Sequence, residues 1–496
     1  MKGIYITILT IMVFGSISCT NWLDVQPKTS IPGDRLFKSE SGFKDVLTGF
    51  YIKMGSTRLY AGDLTYGYLE TLSGNYDNYP DHITVKWQEL IWDYSNYSEP
   101  KKNGIYSEMF NLIANINNFL KYLEQNRSVL KSTHYYEIMK GEALGLRAFL
   151  HFDLLRMFGP VYSQQPDGKA IPYRKTFDSE ATSVLTARQV TDNILKDLTV
   201  ADTLLEKYDT RIFRANGEYG EEKYDPFLVE RQLRMNTFAV KALMARVYCY
   251  KGDAESKQKA LEYAKAVIKA PHLALQESYA NPILYGEHIF SLSVYELNKI
   301  IEVNFPTGLD NTTTPINRAY YMNPNRFETM FEYGQGGDTD WRSLNQAFST
   351  RTDEGNWKLC RKYEQNRLYT SNGKDIIPLI RLPEMYYIVA ECGSPAESAE
   401  ALNTVRWARG ISYEDEILAD ANYDLPLDND EFDPSQSYRT KQIMKEIRKE
   451  YFAEGVLFYF YKRHNYKTFD GCAFNDVRNK YQWPLHNDEI GFGNNN

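Results

Sequence analysis

The stretch LTYGYLETLSGNYDNYPDHITVKWQELIWDYSNY, residues 64–97, gathers the rings Tyr66, Tyr68, Tyr76, Tyr79, Trp87, Trp92, Tyr94 and Tyr97 with Asn75, Asp77, Asn78 and Asn96. A sugar ring has an apolar C–H face and a hydroxyl rim. Flat aromatics match the face, and amides and carboxylates match the rim. In WDYSN, extended-strand spacing would put Trp92, Tyr94 and Asn96 on one side. We therefore expect Trp92 and Tyr94 to offer ring faces and Asn96 a polar contact, with Asn75, Tyr76 and Asp77 beside them. A second set lies at 320–342: Tyr320, Tyr321, Asn323, Arg326, Tyr333 and Trp341. Tyr320, Tyr321 and Trp341 are the rings expected to complete a groove with the first set. The competing use of every one of these rings is to pack a loop onto its scaffold.

Other chemistries find little support. The chain has no His-Glu-x-x-His motif, no Gly-x-Ser-x-Gly elbow and no P-loop. His82, His134, His151, His272, His288, His464 and His486 form no ligand pair at helical spacing. Cys249, Cys360, Cys392 and Cys472 are far apart and lack Cys-x-x-Cys spacing, so no zinc site is expected. Sequence alone cannot pair them, and Cys249 reads as a small buried residue in an apolar helix. DLPLDNDEFD (424–433) lacks the turn glycine of a calcium-binding EF-hand loop and reads as a solvated acidic loop. A glycosidase needs two carboxylates facing one bond, and nothing singles out such a pair. Arg147, Asp153 and Arg156 read as structural, the last two as a local ion pair. No enzyme, metal or cofactor is expected. A formal net charge of −8 disfavours a phosphate-binding surface, hence a nucleic-acid partner.

The N-terminus carries a different chemistry. An apolar run at 4–17 follows Lys2 and stops at Cys19. Spanning a bilayer takes roughly 20 apolar residues, so this run is too short, and it reads as a secretory signal peptide. Its Ser16-Ile17-Ser18-Cys19 ending resembles a bacterial lipobox, although Ser16 stands where Leu is usual. The expected organisation is a signal peptide at 1–18, a lipidated tether at 19–40 beginning at Cys19, and one domain at 41–496. The domain divides into an N-terminal part, about 41–270, and a C-terminal part, about 271–496.

The elements that must position the aromatic loops are helical. Apolar spacing predicts helices over 105–123, 135–158, 187–206, 235–252, 255–269, 382–392, 398–410 and about 440–460. The 135–158 segment is apolar nearly all round toward its end, as a buried helix is. Ala239, Ala242 and Ala245 share a face that admits a close neighbour. Long segments rich in Asn, Gly, Asp and aromatics separate these helices at about 60–100, 207–230, 274–380 and 411–437, and 281–300 holds a short strand. Apolar residues make up 43% of the chain, enough for a large core.

Several stretches, in order, resemble the SusD/RagB family of Bacteroidetes surface lipoproteins: CTNWLDVQPKT, FGPV, MNTFAVKALMARVYCYKGD, IRLPEMYYIVAEC, ALNTVRWARG, EIRKEYFAEGVLFYFYKRH and PLHNDEIGFGN. Leu457 and Phe460 stand where many members carry Arg and Asp, which implies different local packing. The resemblance implies a mainly α fold, with TPR-like helix pairs as scaffold and long irregular loop excursions. It implies an outer-membrane lipoprotein facing the exterior that captures a glycan or oligosaccharide without chemistry. The ligand would pass to a SusC/RagA-like TonB-dependent transporter. In the family's starch-binding prototype, aromatics in the loop before the helix matching 105–123 touch glycan. Peptide capture is the alternative, and a surface glycoside hydrolase or a purely structural subunit the more distant ones.

Each buried acyl CH₂ contributes about 0.8 kcal/mol to membrane anchoring. Cys19→Ala should therefore release the protein from washed outer membranes, as read by fractionation and N-terminal mass. Normal retention of the variant, with no acyl mass on the wild type, contradicts lipidation.

Overall fold

The computed structural model describes residues 33–486 and 489, apart from 78–90, 95, 179, 210–224, 278–281, 303, 306–319, 345–346, 352–354, 364–372 and 429. The signal peptide, Cys19 and most of the tether lie outside the described residues, as do Asn78, Tyr79 and Trp87.

Helices dominate. In chain order, those of seven or more residues are α1 (Glu40–Met54), α2 (Glu99–Gln125), α3 (Tyr135–Phe158), α4 (Ala187–Tyr208), α5 (Thr237–Lys251) and α6 (Ala254–Ile268), followed by strand β1 (His288–Ser293). Then come α7 (Pro324–Met330), β2 (Phe348–Arg351), β3 (Trp357–Cys360), β4 (Ile376–Arg381), α8 (Leu382–Cys392), α9 (Pro395–Ala408), α10 (Tyr438–Glu450) and α11 (Leu457–Arg463). β1 pairs antiparallel with β4, and β2 with β3. The expected helices are all present except the last, discussed below, and the expected strand is β1.

Local chemistry sets the boundaries. Ser39, Asn236 and Asp253 each accept a backbone N–H in the first turn of α1, α5 and α6. Thr186 with Gln189, and Ser394 with Glu397, close reciprocal capping boxes at α4 and α9. Gly252 adopts φ 73° to end α5, and α6 begins two residues later. α5 and α6 thus form a tight hairpin, as do α8 and α9.

Each scaffold helix packs on its neighbours in the chain: α1 on α2, α2 on α3, α3 on α4, α4 on α5, α5 on α6, α6 on α8 and α8 on α9. α3 is buried along almost its whole length, as its sequence predicts. It meets α4 so closely that a Cβ at Gly141 would lie 2.6 Å from Leu205 Cγ. Ala239, Ala242 and Ala245 of α5 are fully buried between its neighbours. Arg147 pairs bidentately with Asp197 at 2.7 and 2.8 Å, and Arg156 pairs with Asp153, so these are structural residues as expected.

The single helix expected over 440–460 is two helices. Ala453 and Gly455 take φ of 64° and 69°, which separates α10 from α11. Their N–H groups donate to the two carboxylate oxygens of buried Glu70, each at 2.9 Å. A carboxylate from the other end of the chain thus stabilises a break that helical propensity alone would not make. Leu457 and Phe460, the two departures from the family pattern, are buried beyond that break.

α10 and its end carry three carboxylates four residues apart, Glu446, Glu450 and Glu454, all buried. Glu446 accepts from Arg342 and Arg406, both at 2.8 Å, and from Lys449 at 2.6 Å. Glu450 accepts from Arg381 at 2.7 Å and Arg409 at 2.9 Å. Glu454 accepts from Lys362 at 2.6 Å and Arg381 at 2.8 Å. Burial alone pushes the Glu446 and Glu450 carboxyls up. The cations outweigh it: Lys449, Arg342 and Arg406 at Glu446, Arg409 and Arg381 at Glu450. Both carboxyls are held well below the usual carboxylate range.

Two outcomes follow. Removing one partner of a buried ion pair costs about 3–5 kcal/mol, so Glu450→Gln should lose that much in urea unfolding. A folded pKa below the unfolded one gives stability that is complete above the unfolded value, about 4.3 for Glu, and is lost as pH falls through the folded one. Urea midpoints should therefore be flat from pH 7 to 5 and drop between pH 5 and 3. A midpoint that holds down to pH 3 contradicts the role given to Glu446 and Glu450.

Candidate functional site

The two aromatic sets meet, but with different residues in the lead. Tyr76 stacks on Tyr320 with centroids 4.3 Å apart and planes 19° apart. Next along, the Asp77 N–H donates to the Tyr321 carbonyl at 2.9 Å. The Asp77 carboxylate accepts the Asn323 N–H at 2.5 Å and Arg326 Nη1 at 2.6 Å. Asn323 in turn caps α7 through the Asn325 N–H at 2.9 Å. Arg326 also reaches the Gly74 carbonyl and Asp470, and Asp470 bonds Arg448 of α10. Burial pulls Asp470 upward, yet Arg448 and Arg326 prevail and hold its carboxyl below the usual range. The loop of the first set is thus fastened to the start of α7.

One step out from this junction lies a half-buried ring pair. Met322 exchanges backbone hydrogen bonds with Lys358 at 2.9 and 3.0 Å, which sets Tyr321 beside β3. Tyr321 and Trp357 then face each other with centroids 4.4 Å apart at 46°, both half-buried. The turn before Trp357 is left-handed at Gly355 and Asn356, with φ of 95° and 63°. Asn325 and Asn356 are exposed, and Asp77, Asn323 and Arg326 are partly so. An apolar ring pair edged by amides and one carboxylate can hold a C–H face and bond a hydroxyl rim.

Most of the expected site residues pack instead. Trp92 is 1% exposed, and its ring lies 6.0 Å from Phe458 and 6.1 Å from Tyr481. Tyr94 is buried, 5.7 Å from Trp483. The segment is turn rather than strand, so Trp92, Tyr94 and Asn96 do not share one extended face. Asn96 is exposed and donates to Asp93 at 3.1 Å. Asn75 is fully buried, donating to Glu70 at 2.6 Å and accepting from Arg448 at 2.9 Å. Tyr76 and Tyr320 are buried in their mutual stack. Trp92, Tyr94, Asn75, Tyr76 and Tyr320 were expected at a ligand, and their burial among packed partners makes them core, whereas Asn96 stays exposed. Trp341, half-buried, sits on Gly410 just past α9, where its backbone N–H meets the Arg409 carbonyl at 2.8 Å. Asp77 and Tyr321 remain where both sets join. An open cleft of about 390 Å³ is also lined by Trp92, Asp93, Tyr94, Asn479, Lys480 and Gln482.

Trp357 escaped the sequence reading. Its signal was GNWKLC: a Gly-Asn turn ahead of alternating apolar and polar residues, the mark of a hairpin strand.

A family model for SusD-like proteins, described as "Starch-binding associating with outer membrane", matches residues 21–217. A SusD-like protein, P38, of Formosa agariphila is 22% identical over 98% of this chain and 96% of its own length. Among solved structures, a SusD-like carbohydrate binding protein from Bacteroides vulgatus superposes with TM-score 0.67 at 16% identity, over 92% of this chain and 97% of that one. A SusD superfamily protein from Bacteroides fragilis gives TM-score 0.62 at 19% identity, over 93% of this chain and all of its own. The fold is that of the SusD superfamily. The resemblance read from the sequence motifs is borne out, and so is the helix-rich fold class. The family match at 21–217 contains Asp77, whereas Tyr321 and Trp357 lie outside it.

Truncating a core ring costs about 3–5 kcal/mol. Trp92→Ala should therefore lower the urea unfolding free energy by that amount. Trp357→Ala, at a half-exposed ring, should lower it by less than about 1.5 kcal/mol. Equal losses in the two variants would contradict this division.

Proposed function

We propose that this chain is a cell-surface glycan-binding lipoprotein, anchored through Cys19, that captures an oligosaccharide and passes it to a SusC/RagA-like TonB-dependent transporter. It performs no chemistry on the ligand. The observation that carries this reading is the Tyr321–Trp357 pair with its rim of Asp77, Asn323, Asn325 and Asn356, set in a SusD superfamily fold. The description of the matching family, starch-binding and associated with the outer membrane, supports it. So does the carbohydrate-binding name of the Bacteroides vulgatus protein.

On this reading the residues take distinct roles. Tyr321 and Trp357 offer ring faces to the C–H face of a sugar. Asn325 and Asn356 carry exposed amides that can turn toward hydroxyls. Arg326 holds Asp77 and Asp470 and so keeps the loop and α7 in register, which makes it a positioning residue. Because Tyr321 and Trp357 sit on opposite sides of the Met322–Lys358 bridge, their separation is set by backbone pairing rather than by ligand. A preformed platform loses little conformational entropy on binding.

The test is an oligosaccharide panel read by calorimetry with wild type and two variants. Trp357→Ala and Tyr321→Ala should each weaken the best ligand by on the order of thirtyfold, equivalent to about 2 kcal/mol at a binding hot spot. Their melting temperatures should stay within a few degrees of wild type. Unchanged affinity in both variants would move the site to the cleft along Asp93, Tyr94 and Lys480. Binding of a peptide panel with no oligosaccharide bound would replace glycan by peptide as the ligand class.

A further inference from the structure

Two of the four cysteines of the folded domain, far apart in sequence, lie side by side. Cys249 is in the last turn of α5, and Cys392 ends α8. Their sulfurs are 3.7 Å apart, although 143 residues separate them. The pair joins two scaffold helices that already pack on one another. Cys249 is buried, whereas Cys392 is partly exposed. Arg463 Nη1 lies 3.4 Å from the Cys249 sulfur and is itself fixed by Glu391. Cys360 lies on β3, where its sulfur accepts the Lys362 N–H at 3.5 Å, and Cys472 lies beyond α11.

We propose that Cys249 and Cys392 are an oxidation site, closing to a disulfide that clamps α5 to α8 when the folded protein meets a disulfide donor of the Cys-x-x-Cys oxidoreductase or glutathione class. The order of events follows from exposure. Cys392 loses its proton, and its sulfur attacks one sulfur of the donor disulfide. The donor S–S bond breaks, its first thiol leaves and takes up a proton, and a mixed disulfide remains on Cys392. Cys249 then loses its proton and attacks the Cys392 sulfur, expelling the second donor thiol. Two cysteine thiols are oxidised, one donor disulfide is reduced to two thiols, and protons balance.

The site is arranged for the closing step. The neighbouring Cys392 thiol and burial both push the Cys249 thiol up, and the Arg463 guanidinium, 3.4 Å from its sulfur, opposes them by favouring the thiolate. The nucleophile is then already beside the sulfur it must attack. The loop so closed contains α6, β1, α7, β2, β3 and β4, and with them Tyr321 and Trp357. The clamp therefore ties the ends of the segment that carries the ring pair.

Occurrence of the clamp in the cell rests on the export reading above, but its chemistry does not. The experiment accordingly has two arms. In the first, purified full-length protein is held in a glutathione buffer rich in the oxidised form, quenched in acid, unfolded, alkylated and digested. The Cys249 and Cys392 peptides should be recovered joined, with Cys360 and Cys472 alkylated. Melting temperature should rise by about 5 °C over the reduced protein, because a loop this long loses much unfolded-state freedom when closed. That rise should vanish in Cys249→Ser and in Cys392→Ser. Recovery of both peptides alkylated, or of Cys392 held only as a glutathione adduct, overturns the proposal. The second arm maps thiols trapped in protein from washed outer membranes. Joined peptides support the clamp there, and free thiols in membrane-anchored protein overturn it. Protein found only in the cytoplasm would defeat the export reading, and the first arm alone would then decide the chemistry.

Discussion

Three buried carboxylates, Glu446, Glu450 and Glu454, organise the C-terminal half of this molecule. Their four-residue spacing along α10 and its end makes a ladder of negative charge. A lone charge in that environment would cost several kcal/mol. Each rung must therefore recruit a cation, and apart from Lys449 on the same helix the cations come from distant segments. Arg342 comes from the turn after α7, Lys362 from just past β3, Arg381 from the end of β4, and Arg406 and Arg409 from the end of α9. Glu287, just before β1, joins through Arg409 at 2.9 Å. Ion pairs thus join the packing of β1 on α1 and α5 in holding the long excursion between α6 and α8 to the scaffold.

The ring pair inherits its position from that ladder. Lys362 anchors the chain two residues beyond β3, donating to Glu454 and to the carbonyls of Glu450 and Phe452. That fixes β3, hence Trp357 and, through the Met322–Lys358 bridge, Tyr321. From the same helix, Arg448 reaches Asn75 and Asp470, and Asp470 holds Arg326, which holds Asp77. α10 and the turn that ends it therefore support both halves of the proposed site, the ring pair through Glu454 and the carbonyls of Glu450 and Phe452, the Asp77 loop through Arg448. Loops that carry function need such a rigid backing.

Local patterns were readable in the sequence, and long-range partners were not. The periodicity of LPEMYYIVAEC or of 105–123 depends on neighbours three and four residues away, and those helices are found where expected. The break at Ala453 depends on Glu70, which no local window contains. The same distance effect misplaced Trp92 and Tyr94. Their spacing suggested an open face, but Phe458, Tyr481 and Trp483 from the far end of the chain cover them. Of the proposed site, Asp77 and Tyr321 were named from sequence because their loops are rich in aromatic and amide side chains. Trp357 was not, because it stands as a single ring in a short hairpin strand. EIRKEYFAEG was legible as a family motif, yet its carboxylate ladder has meaning only once its cationic partners are placed.

The central claim is that the ligand face is the Tyr321–Trp357 pair, while Trp92 is core. Indole N–H resonances report each tryptophan separately, and the chain has seven. The decisive measurement is a titration of ¹⁵N-tryptophan-labelled protein with the oligosaccharide it binds, with resonances assigned by single substitutions. The account predicts that the Trp357 indole signal moves to saturation while those of Trp92 and Trp483 stay in place. Saturable movement of Trp92 with Trp357 unchanged would contradict it.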